Sequence, residues 1–232
     1  MLRQWPFGMR RFCASAVHIA RDDSASLAKL SHRLQDARTT RSAEALLCTR
    51  LDGVNLSRCR VAQSLSPGAG NGVFATRGIS EGEVVTLFPG DWLLNFESAA
   101  DSWQRTSSSH ASVMFGDHLP DDMRDEQHAT STAAREYAFA LSPYISLIGD
   151  AMSRDDPAYL GHLMNDCAAM TDPNEIITYA LAAATRMNAA HILLEDCHVA
   201  TVATRDITQG DEIVVTCEYS LVTTQTRLYT PG

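Results

Sequence analysis

The sequence predicts a mostly β domain with short helices, preceded by one or two N-terminal helices. Three observations predict it. From Leu51 onward the chain runs in short β-branched and aromatic stretches broken by Gly and Pro, the texture of small strands in an irregular sheet domain. Before that, Leu27, Leu30, Leu34 and then Ala43, Leu46 and Leu47 recur at helical spacing with polar residues between them. A chain of 232 residues with 45% hydrophobic composition can bury one substantial core, and a second full-sized domain is not expected.

The first twenty-one residues carry Arg3, Arg10, Arg11 and Arg21, no acid, and apolar residues in between. This composition fits either a mitochondrial presequence or a basic tail, so residues 1–23 are set apart from the fold. Residues 24–50 form a helical appendage without chemistry, 51–220 the domain proper, and 221–232 a tail. A net charge of −9 argues against direct nucleic-acid binding and suits a basic partner such as a Lys-rich peptide. The six cysteines are scattered, with no Cys-x-x-Cys pair or zinc spacing, so no metal is expected. With no long apolar leader and no run long enough to span a bilayer, the expectation is a soluble intracellular protein with reduced thiols.

Within Ser66 to Phe88, alternate glycines at Gly68, Gly70 and Gly72 precede Val73-Phe74-Ala75-Thr76, and Gly82 precedes Val84-Val85-Thr86-Leu87. The pattern reads as a hairpin. Because a strand and not a helix follows the glycines, a dinucleotide fingerprint is excluded, and without Gly-Lys-Ser so is a P-loop. The glycines instead allow close backbone approach to a ligand or to another segment. The segment Phe74 to Thr86 recurs as Val202 to Thr216, which predicts two similar hairpins at opposite ends of one fold. Between them, residues 97–135 are rich in Ser, Asp and His and are expected to be a flexible insertion, either a solvated loop or an acidic lip for a basic peptide. Glu136 to Ala151 alternates around Tyr137, Phe139 and Leu141 and reads as two strands. Next comes YLGHLMNDC, Tyr159 to Cys167, whose Asn165-Asp166 pair suits a turn, a helix end or a polar site.

Taken together, GAGNGVFATRGISEGEVV, EYAFAL, YLGHLMNDC and VATVATRDITQGDEIVV resemble, in order, the opening Gly-x-Gly hairpin, the Tyr-x-Phe-x-Leu strand, the Arg-Phe-Ile-Asn-His-Ser-Cys segment and the closing Gly-Glu-Glu hairpin of SET domains. That family comprises protein lysine methyltransferases that use S-adenosylmethionine. The resemblance covers roughly Asn55 to Tyr219 and implies a β-clip fold with a C-terminal pseudoknot, the closing segment passing under the Asn-containing one. It also implies that Gly70, Asn71, Gly72 and Val73 line the cofactor with backbone groups. On the same basis Asn165 and Asp166 bind the cofactor, Asn165 holding its methionine or adenosine part, Asn188 is the family's later Asn, and Tyr137 stands in the lysine channel.

The departures are equally specific. Asp166 replaces the family's His, Gly161 stands near its Arg, 170–187 is an insertion, and the Cys-rich flanking segments are missing. The usual catalytic Tyr, seven residues after the turn Gly, is Cys217 here, with Tyr219 two residues further. A bulge that brings Tyr219 inward restores the hydroxyl. Two readings follow from the resemblance. One is methyl transfer to a lysine of a basic protein, histone or other, in nucleus or cytoplasm, with the mitochondrion as the alternative raised by the arginines. The other is a SET-fold binding or scaffold module without activity.

Overall fold

The computed structural model describes residues 24–38, 41–97, 111–167 and 176–216. Two helices lead, α1 (Ser24–Arg38) and α2 (Ala43–Leu47), the second capped by Ser42, whose side chain accepts from the Ala45 N–H. Eleven strands follow among the described residues. One sheet has the order β1-β2-β11-β8, built from β1 (Cys59–Gln63), β2 (Asn71–Ala75), β11 (Glu212–Val215) and β8 (Asn165–Asp166). A second has the order β3-β10-β9, from β3 (Val84–Leu87), β10 (His198–Ala203) and β9 (Ala189–Leu194). The third runs β5-β4-β7-β6, from β5 (Ala111–Phe115), β4 (Trp92–Phe96), β7 (Ile145–Ile148) and β6 (Ala138–Ala140).

The apolar periodicity of the leading helices has a packing cause. Leu30, Leu34 and Leu46 are buried in one cluster with Val84, Leu87, Ala200 and Val202, so the helices cover one face of the β3-β10-β9 sheet. Every residue of β3 and β10 is buried, which explains why these strands read as unbroken β-branched and small runs with no polar alternation.

The expected hairpin over Ser66 to Phe88 is not formed, because β2 and β3 belong to different sheets. The glycines instead close the β1–β2 hairpin: Ala69 N–H donates to the Ser66 carbonyl around Pro67 and Gly68, whose φ of +80 suits the third position of a type II turn. The Gly82 segment is a corner, and its partner is the other copy of the repeat. Gly82 N–H donates to the Ala203 carbonyl and Gly210 N–H to the Ala75 carbonyl, both at 2.9 Å. Ala203 N–H donates to Glu83 and Ala75 N–H to Asp211, both at 3.0 Å, while Ile79 and Ile207 exchange two backbone bonds. The two copies therefore interlock about a pseudo-two-fold at Ile79–Ile207 and do not lie at opposite ends of the fold. Each corner sends its incoming and outgoing strands into different sheets, and each strand finds one of its backbone partners in the other copy.

The expected flexible insertion over 97–135 is ordered in its second part. Residues 98–110 lie outside the described residues, but 111–135 is folded. Strand β5 pairs with β4 from Trp92↔Phe115 to Phe96↔Ala111. A 3-10 turn at Asp121–Met123 and the short helices α3 (Glu126–Ala129) and α4 (Thr132–Arg135) then bury Leu119, Ala129 and Ala134 against Trp92, Leu94 and Ile148. Three of its acids have structural partners: Asp125 caps α3 through the Gln127 N–H, Asp117 pairs with Arg41, and Asp121 pairs with Arg124.

Ile79 and Ile207, 2% and 3% exposed, sit on the axis that joins the two copies. Ile79→Ala and Ile207→Ala should each cost about 2–5 kcal/mol in urea unfolding. Because they share one cluster, the double variant should deviate from the sum by at least about 0.5 kcal/mol. Strict additivity would show that the corners do not lock one another.

Candidate functional site

The glycine loop, β8 and the start of β11 meet at one end of the β1-β2-β11-β8 sheet. Strand β11 runs parallel to β8, with Val214 opposite Asn165 and Val215 opposite Asp166, and the Cys167 N–H donates to the Val215 carbonyl at 2.7 Å. This closing pairing sets Asn165 against the glycine loop. Its Nδ2 donates to the Asn71 carbonyl and to Glu212 Oε1, each at 3.0 Å. Gly72 lies over this junction, and a Cβ there would collide with Glu212 Oε1 and approach Asn165 Nδ2 to 2.9 Å. Gly70, at φ +68, has nothing within 4 Å of where a Cβ would stand, so the loop is open on that side. The structure thus brings Gly70, Asn71, Gly72, Asn165 and Asp166 together. Val73 sits behind them, fully buried between β1 and β11.

Glu212 is the residue that sequence reasoning missed. It is 9% exposed and receives Ser64 Oγ at 2.7 Å, the Leu65 N–H at 2.9 Å and Asn165 Nδ2. The repeat itself held the signal. Glu212 occupies the position that Val84 fills in the first copy, where it is wholly buried in the core, so a carboxylate at that place is an exception to an apolar pattern.

Asn188 is placed as a brace. Its Nδ2 donates to the Glu212 carbonyl at 2.9 Å and its Oδ1 accepts from the Val214 N–H at 2.8 Å, so the buried amide extends the backbone pairing of β11. Asp166 faces the hydroxyl of Tyr179, 2.9 and 2.8 Å from its two carboxylate oxygens. Tyr179 belongs to helix α5 (Ile176–Arg186), which the inserted segment forms and which packs on Cys167 and Val214. Tyr137 packs against the core cluster that holds Val73, Leu163 and Met164, its ring 6.2 Å from that of His162, three residues before Asn165. Cys217 and Tyr219 lie outside the described residues. Among the described residues no group of three His, Cys, Asp or Glu could hold a metal ion.

A buried charged network reaches His162, in the segment that leads to Asn165. Asp91, wholly buried, accepts from His118 Nε2 at 2.7 Å, the Asp150 N–H at 2.6 Å and Arg50 Nη2 at 3.3 Å. Burial works against its charge, but these three donors together hold its carboxyl below the usual range. Arg50 also lies over the Tyr159 ring, and the Tyr159 hydroxyl accepts from the Leu51 N–H at 2.6 Å. His162 donates from Nε2 to the Asp150 carbonyl at 2.8 Å, and Gly149 leaves room for its ring.

Burial pushes the imidazoles of His162, His191 and His198 down to about 4, with the neighbouring His162 also lowering His191. All three are neutral in the folded chain at pH 7 and gain protons more readily when unfolded. The stability they contribute is therefore complete above about pH 6.5 and is lost as pH falls toward 4. Urea unfolding between pH 7 and pH 4.5 should lose up to about 1.4 kcal/mol per pH unit for each histidine, and His198→Phe should flatten the slope. A flat profile in the wild type would refute charge-free burial.

A family model described as SET domain matches residues 70–219. No curated protein matches the chain. Among solved structures, a candidate histone methyltransferase of Plasmodium falciparum is similar at TM-score 0.32 and 15% identity, over 68% of this chain and 91% of that one. The Polycomb Repressive Complex 2 of Chaetomium thermophilum, autoinhibited and bound to S-adenosylmethionine, gives TM-score 0.37 and 16% identity over 73% of this chain. A humanized mutant of that complex with an inhibitor gives 0.36 and 17% over 68%. The chain spans 16% and 14% of the lengths of those two matched chains.

Proposed function

The chain belongs to the SET-domain family of protein lysine methyltransferases, and on that premise we propose that it transfers a methyl group from S-adenosylmethionine to a lysine side chain of a basic protein, histone or other. The observation that carries the proposal is the meeting of Asn165 with the Gly70–Gly72 loop through the Asn71 carbonyl. The donor set fits such a ligand. The loop is open beside Gly70, and Asn165 Oδ1 has no donor among the described residues, leaving it able to accept from an amine. When bound, S-adenosylmethionine supplies a methyl group on a positively charged sulfur.

The chain's own contribution is positioning and desolvation. In this reading Gly70, Asn71 and Gly72 offer backbone groups to the methyl donor, Asn165 anchors it, and Asp166, held by Tyr179, keeps β8 in register. A lysine at neutral pH is protonated and unreactive, and a narrow channel that excludes water lowers its pKa. Tyr137 forms an aromatic wall that accommodates the cationic amine. Alignment of amine and methyl group supplies the remaining acceleration through proximity. Tyr219 provides the hydroxyl at the transfer point. The second reading, a binding module without activity, rests on Cys217 at the usual Tyr position. The place of action we propose is the nucleus or cytoplasm; the arginines before Asp22 are the sole support for a mitochondrial alternative.

Calorimetry with S-adenosylmethionine and transfer of labelled methyl to mixed histones or cell extract test the proposal. Gly72→Val and Asn165→Ala should each weaken cofactor binding about tenfold or more, with melting curves recorded to exclude unfolding. Wild-type affinity in both folded variants would remove the site from this loop. Tyr219→Phe should cut transfer about a hundredfold or more with affinity nearly kept, since a hydroxyl acting in the transition state is worth a few kcal/mol. Cys217→Ser should be mild. The reverse ranking, or cofactor binding with no transfer in the wild type, would favour the binding module.

A further inference from the structure

Glu212 and Asn71 together determine which way the Asn165 amide faces. The Asn71 carbonyl and the Glu212 carboxylate are both acceptors, so the atom that contacts both must be the amide nitrogen, with one hydrogen spent on each. The Asn165 side chain then has no hydrogen left to donate. All it can present to a ligand is Oδ1, an acceptor.

The carboxylate behind it is charged differently from its surroundings. Its donors are a hydroxyl, a backbone N–H and an amide, all neutral, and it forms no ion pair with a basic side chain among the described residues. Arg186, at the end of α5, reaches Ser66 Oγ at 3.3 Å rather than the carboxylate. With no cation paired to it among the described residues, this nine-tenths-buried carboxylate gives the amide it holds a negative surrounding.

We propose that Glu212 is a positioning and specificity-determining residue: it locks Asn165 as an acceptor in a negative field, so that this end of the site selects the α-ammonium of the methyl donor. The inference rests on the methyl-donor reading above. Glu212→Gln keeps the shape, but removes the charge and places an N–H where the carboxylate accepted. With Leu65 N–H claiming the Gln oxygen, the Gln nitrogen faces Asn165 Nδ2 and opposes the native orientation of the amide.

The test uses the full chain and two probes at pH 7.5, S-adenosylhomocysteine and its analogue with hydrogen in place of the α-ammonium. Calorimetry should show the wild type preferring the ammonium-bearing probe by about tenfold or more, as for a hydrogen bond to a charged group. Glu212→Gln should collapse that preference several-fold while binding the deaminated analogue about as well as the wild type does. A folded Glu212→Gln that weakens both probes equally would make Glu212 merely structural and overturn the inference. So would a wild type that binds both probes equally, a result that does not depend on the variant folding. A wild type that binds neither probe would instead overturn the methyl-donor reading itself, and this inference with it.

Discussion

Strand β11 takes partners along both edges, and the site is built where those partners meet. On one side Glu212 and Ile213 pair antiparallel with Phe74 and Val73, and on the other Val214 and Val215 pair in parallel with Asn165 and Asp166. Asn188 contributes side-chain and main-chain bonds to the same strand. A buried strand has to place all of its N–H and C=O groups, and β11 does so by drawing the glycine loop, the Asn165 segment and the end of the inserted helix to one point. The polar site sits where β11 passes from its antiparallel partner β2 to its parallel partner β8.

The pseudo-two-fold makes this arrangement possible. Two corners of similar sequence satisfy each other, and the Gly82 and Gly210 turns, at φ +83 and +91, let each chain segment leave one sheet and enter another. The symmetry is broken at one informative place. Val84 fills the core beneath the helices, whereas its counterpart Glu212 lies under the glycine loop and carries the site's negative charge. The same backbone frame thus serves packing in one copy and polar organisation in the other.

The Asp91 network has a different character. A carboxylate removed from water is tolerated because Arg50, His118 and a backbone N–H surround it. Removing one partner of such a cluster leaves an uncompensated charge at a cost of about 3–5 kcal/mol. The cluster joins the segment after α2, the turn before β4, the loop after β5 and the loop after β7, elements distant in sequence. It helps hold His162 and the segment leading to Asn165, so the site is supported from behind by charge and from below by apolar packing.

Much of this protein is legible in its sequence because local conformation follows from local residues. Leucines at helical spacing, glycines demanding positive φ and β-branched runs mark α1, α2, the corners and the strands, and four motifs in order identify the family. Which strand pairs with which is not a local property. The repeat was visible, but two copies of one corner can stand apart or interlock, and only burial of Ile79 against Ile207 decides between these. The alternating Ala111 to Phe115 stretch was masked by the acids around it, whose roles as caps and ion-pair partners emerge only after folding. Glu212 reads as an ordinary member of a turn until β11 is laid between β2 and β8. Its burial, its contact with Asn165 and the chemistry it imposes there arise from segments 47 and 148 residues away in the chain, brought together by tertiary structure.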